Sequence, residues 1–270
     1  MDFSALAALS DERIDVITGA LLIAKDEYPG LDVERERSRF DELAKPIGRL
    51  DGLDAAEQAT VVSEYLFGEC GFRGNSEDYY DPKNTFVNDV LDRRRGIPIS
   101  LSVVYAEVAK RAGVVANGIG FPGHFLVRIE SESGGPIVVD PFGCGRIVGP
   151  GALDSLLERA HRRARKVDRS LLQPAPPRAV LVRMLMNLKG IYASRGELAR
   201  LLVVLSRILE LEPDSPNDRR DRGLIAMRLG SPRVAESDLR RYLELSPEAG
   251  DVSEVRRALG SVVDRASPAN

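Results

Sequence analysis

Tryptophan is absent from these 270 residues, and cysteine and histidine occur only twice each. With Cys70 and Cys144 alone, a disulfide framework and a multi-cysteine zinc site are excluded. His124 and His161 are the only imidazoles, so neither a structural metal site nor a bound cofactor is expected. No apolar run approaches the roughly 18 residues of a membrane span. The opening Met1-Asp2-Phe3-Ser4 lacks the basic start of a signal peptide, so no membrane association is expected and the cytoplasm is the default location. A basic field is missing as well. The net charge is −3, and the local runs at Arg93-Arg94-Arg95 and from His161 to Lys166 read as solvated helix faces, so nucleic acid is not an expected partner.

What is present suits one large domain or two modest ones: 43% hydrophobic residues, enough to bury a sizeable core. The first 70 residues read as helices. One stops at Tyr28-Pro29-Gly30, a second runs over about 33–44, and a third over about 54–68 buries Val61, Val62, Tyr65 and Leu66 at helical spacing. A loop rich in Gly, Asp, Asn and Tyr covers 70–82. Gly96 breaks a short helix that starts at Asn84, and Pro98 suits the first turn of the next, where its missing N–H costs nothing. From Pro98 to Ala112, Leu101, Val104, Tyr105, Val108 and Ala112 form one buried stripe. Strands are expected at Val114–Ile119, His124–Ile129 and Ile137–Val139, the last two joined by a hairpin over 130–136. One helix before a small antiparallel sheet is an α+β arrangement.

Beyond Pro150 the chain returns to helices, and Gln173-Pro174-Ala175-Pro176-Pro177 is a stiff, donor-poor joint. The expected domains are 1–172 and 178–265. The second carries an internal repeat: Gly196 to Gly230 and Pro213 to Pro247 both span 34 residues, and Leu209-Glu210-Leu211-Glu212-Pro213 recurs as Leu243-Glu244-Leu245-Ser246-Pro247. That is the period of tetratricopeptide (TPR) helical hairpins. Two such units are fewer than the three or so a solenoid needs, so the tail is expected to lean on the core. Leu201, Leu202, Val204 and Leu205 predict a helix over 197–211 buried nearly all round.

His124 opens one expected strand and Asp140 closes its neighbour, so the two can meet across the hairpin, the carboxylate fixing the imidazole tautomer. A nucleophile at the start of the Pro98 helix would complete a papain-like order of nucleophile, histidine and acid, with the helix N-terminus lowering a thiol pKa. Equally, His124 can simply pack near a Gly-Phe-Pro-Gly turn while Asp140 caps a turn before Pro141.

Residues 84–145 closely resemble the SirB1 family of transglutaminase-like proteins. The resemblance rests on Asn84-Thr85-Phe86-Val87-Asn88, on Arg95-Gly96-Ile97-Pro98-Ile99-Ser100-Leu101-Ser102, on Gly120-Phe121-Pro122-Gly123-His124-Phe125 and on Asp140-Pro141-Phe142. The loop Gly71-Phe72-Arg73-Gly74-Asn75 and the repeat-bearing tail are similar too. The resemblance implies a mostly helical α+β fold, a transglutaminase-like (papain-like) core with a small antiparallel sheet, followed by TPR-like hairpins. It also implies that His124 and Asp140 match two members of a Cys-His-Asp triad. Superfamily enzymes carry Gly-x-Cys where this chain has Gly96-Ile97-Pro98, so Pro98 stands in for the nucleophile.

Two readings follow. In the first, the chain is a non-catalytic binding or regulatory module: a polar cleft at His124 and Asp140, with Asn84, Arg95 and Pro98 as binding residues, and a tail that meets a protein partner. In the second, it is a hydrolase or acyltransferase acting on amide bonds, with the nucleophile moved to Ser100, Ser102 or Cys144.

Overall fold

Aspartate side chains start most of the early helices. In the computed structural model, which describes residues 1–131, 134–161 and 166–266, Asp2 caps α1 (Phe3–Ala7), Asp15 caps α2 (Val16–Glu27) and Asp32 caps α3 (Val33–Ala44). Asp54 closes a reciprocal capping box with Glu57 at the head of α4 (Ala55–Ser63). The helix expected to run on to residue 68 widens instead into a π-helical turn over Glu64–Glu69.

The order continues with β1 (Arg73–Gly74), α5 (Val87–Arg93), β2 (Arg95–Gly96) and α6 (Pro98–Arg111). Then come β3 (Ala116–Ile119), β4 (Leu126–Ile129), β5 (Ile137–Asp140), β6 (Arg146–Ile147) and α7 (Pro150–His161). Five helices close the chain: α8 (Pro177–Arg195), α9 (Leu198–Leu211), α10 (Pro216–Arg228), α11 (Pro232–Leu245) and α12 (Val252–Ala266). The fold is thus α+β and mostly helical. Among the described residues no helix is long and apolar enough to cross a membrane. Glu132, Ser133 and the arginine-rich 162–165, named in the sequence reading, lie outside the described residues.

Contacts divide the chain into two units, residues 9–184 and residues 1–8 with 185–270, and the division falls inside α8. In the first unit β3, β4, β5 and β6 form an antiparallel sheet in chain order, with Ile119 opposite Leu126, Val127 opposite Val139 and Asp140 opposite Arg146. Strand alternation puts Ile119, Leu126 and Val138 on one face, where Leu153 and Leu157 of α7 cover them. Ala116, Val127 and Val139 fall on the opposite face and are buried too; α6 packs on β3 and β4, and α4 on β5. The two-residue strands β1 and β2 pair in parallel, Gly74 opposite Gly96. These and β6 were not expected from the sequence, because two residues carry no periodicity.

The second unit holds the TPR hairpins. Gly196 and Gly230 both sit in the left-handed region (φ +68 and +73), which explains the 34-residue landmark: each ends the first helix of a pair. Helix α9 is amphipathic rather than buried all round, since Val203 remains 42% exposed. Within this unit the N-terminal α1 packs on α9, with Phe3 and Leu6 buried and the Arg207 guanidinium 5.0 Å from the Phe3 ring. Asp238 of α11 is fully buried and accepts from Arg219 and Arg222 of α10, while Lys189 of α8 reaches Asp218 and Asp221.

Candidate functional site

His124 lies in the turn before β4 rather than in the strand expected from 124. Its backbone N–H donates to the Phe121 carbonyl (3.0 Å). Gly123 precedes it with φ +69, and a Cβ there would stand 3.1 Å from the Ala160 Cβ, so only glycine fits both the turn and the approach to α7. Asp140 ends β5 on the α7 side of the sheet, and the His124 Nε2 is 2.8 Å from its Oδ1. The same Oδ1 accepts the Gly143 backbone N–H (3.0 Å), and Oδ2 accepts from the Arg146 guanidinium (3.1 Å). A Cβ at Gly143 would fall 2.6 Å from the Asp140 carboxylate, so the tight turn over 140–145 requires glycine there.

Asp140 is 2% exposed. Burial pushes its carboxyl up, but the His124 hydrogen bond and charge, the Gly143 N–H and Arg146 outweigh it and hold the group below the usual carboxylate range. An ionised Asp140 accepts a hydrogen bond from Nε2–H, which leaves Nδ1 as the second functional atom of the ring. The Phe142 ring stands edge-on to the imidazole at 6.1 Å, and Gly74 lets that ring in, since a Cβ there would meet it at 2.7 Å.

The dyad opens into a cleft of about 520 Å³ between the 122–124 turn, the 140–146 turn and α7. Its lining includes Phe142, Arg146, Leu156 and Arg159; among the described residues it contains no serine, threonine, tyrosine or cysteine, and no residue of α6. The other candidates stand elsewhere. Pro98 is buried at the first position of α6. The Ser100 hydroxyl donates to the Asn84 carbonyl (2.5 Å) and accepts from the Ile97 N–H (3.1 Å), and the Ser102 hydroxyl donates to the Phe125 carbonyl (3.3 Å). Both serines are therefore spent on backbone in the core. Asn84 is fully buried, where its amide holds the Asp78 and Tyr79 carbonyls and accepts from Asn75, tying down the 75–79 loop. Arg95 stays at the surface, 3.7 Å from Glu77. Cys144 is exposed in the 140–145 turn with φ +60, an unusual conformation for a side-chain-bearing residue, and makes no hydrogen bond to His124 among the described residues.

Sequence reasoning did not single out Arg146 and Arg159. Arg146 could have been found, since it follows Asp140 across one tight turn. Arg159 carries no local signal, being an exposed arginine on the polar face of α7. No group of three or more His, Cys, Asp or Glu among the described residues could hold a metal.

Comparison with known proteins agrees with this architecture. The transglutaminase-like superfamily matches residues 34–186, and the tetratricopeptide repeat matches residues 188–260. A UPF0162 protein of Xylella fastidiosa is 41% identical over 96% of this chain and 92% of its own length. A UPF0162 protein of Pseudomonas aeruginosa is 28% identical over 98% of this chain and 97% of its own length. Protein SirB1 of Salmonella typhimurium is 28% identical over 86% of this chain and 85% of its own length. No solved structure matches the chain.

Proposed function

The chain belongs to the SirB1 (UPF0162) family, a transglutaminase-like core followed by tetratricopeptide repeats, and on that premise we propose that it is a non-catalytic binding or regulatory module. The observation that carries this reading is the lining of the His124 cleft. A histidine held by a carboxylate is half of an acyl-transfer site, but the other half, a hydroxyl or thiol facing the ring, has no counterpart in the described lining. In this reading Asp140 and His124 shape a polar binding cleft, and the TPR tail meets a protein partner; that step from repeat to partner is analogy with TPR proteins generally.

Purified chain and its His124→Ala variant, assayed for amide hydrolysis on casein and for ammonia release from a glutamine peptide with an added amine, are expected to show the same background. Turnover by the parent chain that His124→Ala abolishes would overturn the reading. Sensitivity of that turnover to Cys144→Ser would then identify the displaced thiol, the alternative that the exposure of Cys144 leaves open.

A further inference from the structure

The cavities of the first unit differ in charge. One beside α4 is walled by Asp51, Asp54 and Glu130, and one along α6 by apolar residues with Glu107 and Lys110 as a balanced pair. Of these three, the His124 cleft is the cationic one among the described residues. Arg146 and Arg159 line it, and its one carboxylate, Asp140, is withdrawn behind three donors.

Each of those cations has capacity left. Arg146 gives one N–H to Asp140 while its side chain remains 58% exposed, so most of its five donors are uncommitted. Arg159 is exposed and forms no ion pair among the described residues. The His124 ring lines the same cleft, and its Nδ1 is a further polar atom there. Two guanidinium-bearing residues lining one concave site match the planar, paired oxygens of a carboxylate or phosphate. The remaining wall is apolar, made by Pro122, Phe142, Leu156 and Ala160. At about 520 Å³ the space suits a small ligand or the end of a chain rather than a single inorganic ion.

We propose that this cleft binds an oxyanion, a carboxylate or a phosphate, carried beside an apolar group, with Arg146 and Arg159 as its anchors. The proposal rests on reading the cleft as a binding site and names the ligand class it selects. Charge does the selecting: a neutral ligand of the same shape forgoes the charge-assisted hydrogen bonds to both guanidinium groups.

The test is calorimetric titration of the full chain with N-acetyl-leucine, with isoamyl phosphate and with neutral N-acetyl-leucinamide. At least one anionic probe is expected to bind saturably, and the tighter of the two identifies the source of the oxyanion. The amide should bind at least about tenfold more weakly, and Arg159→Gln, at an exposed residue with no ion pair among the described residues, should weaken the anion by about tenfold at an unchanged melting midpoint. Equal binding of amide and anion, an unaffected Arg159→Gln, or no saturable anion binding up to about 10 mM would each overturn the proposal. The two readings fail separately. Amide turnover that depends on His124 removes the non-catalytic function but leaves an anion preference standing. Amide and anion binding equally well, both lost in His124→Ala, keeps the cleft a binding site and removes only its ligand class.

Discussion

Asp140 concentrates most of what the site does at the scale of a single residue. It is a buried carboxylate with His124, Gly143 and Arg146 as partners, and its folded pKa lies below the unfolded one. The sign follows from that direction: stability from this group is fully present above the unfolded value, near 4, and is lost as the pH falls through the folded value. Asp140→Asn should therefore cost about 2–3 kcal/mol at neutral pH, by leaving Arg146 and the imidazole without a carboxylate. The difference from the parent chain should shrink below about pH 4, where the parent protonates as well. Urea midpoints across pH 3–7 measure it, and a difference constant with pH would show that folding leaves the Asp140 pKa unshifted.

Glycines decide how closely the helices of the repeat can pack. Gly190 in α8 is exposed, and a Cβ there would meet nothing within 4 Å. Gly223 in α10 is buried against α11, and a Cβ there would fall 2.8 Å from a Leu239 methyl carbon. The same substitution should act with opposite sign at the two places. Gly190→Ala gains the usual helix preference and should stabilise by about 0.5–1 kcal/mol. At Gly223→Ala that gain is opposed by a clash in a packed layer, with a net loss of about 1–2 kcal/mol. Thermal unfolding of the two variants beside the parent chain compares them, and a stabilised Gly223→Ala would mean that Leu239 moves aside at little cost.

For the whole molecule, the telling feature is that one helix serves two units. Leu181 and Met184 of α8 are fully buried and Val180 nearly so, all in the unit of residues 9–184; Leu181 fills the space that a side chain at Gly19 would take. The proline joint is attached there as well, through the Ala175 N–H to the Gly118 carbonyl of β3 (2.8 Å). A chain of residues 9–184 should melt cooperatively. One ending at Pro176 loses three buried side chains, each worth about 2 kcal/mol or more, and should lack a cooperative transition. Equal melting midpoints for the two would show that α8 contributes nothing to the core.

Much of this protein was legible along the chain. The buried stripe of α6 and the 34-residue spacing are local features, and each follows from helix periodicity or from a glycine that must take a positive φ, as Gly196 and Gly230 do. The meeting of His124 with Asp140 was legible too, because antiparallel pairing across one hairpin carries it. Three things depended on the tertiary structure: that Ser100 and Ser102 spend their hydroxyls on the Asn84 and Phe125 carbonyls, that the dyad opens toward α7 rather than α6, and that Arg159 and Arg146 line the same cleft. Those relations join segments far apart in sequence, through sheet register and the packing of α7 over Ile119, Leu126 and Val138. No local spacing encodes them, because they exist only once the sheet has chosen which face each helix covers.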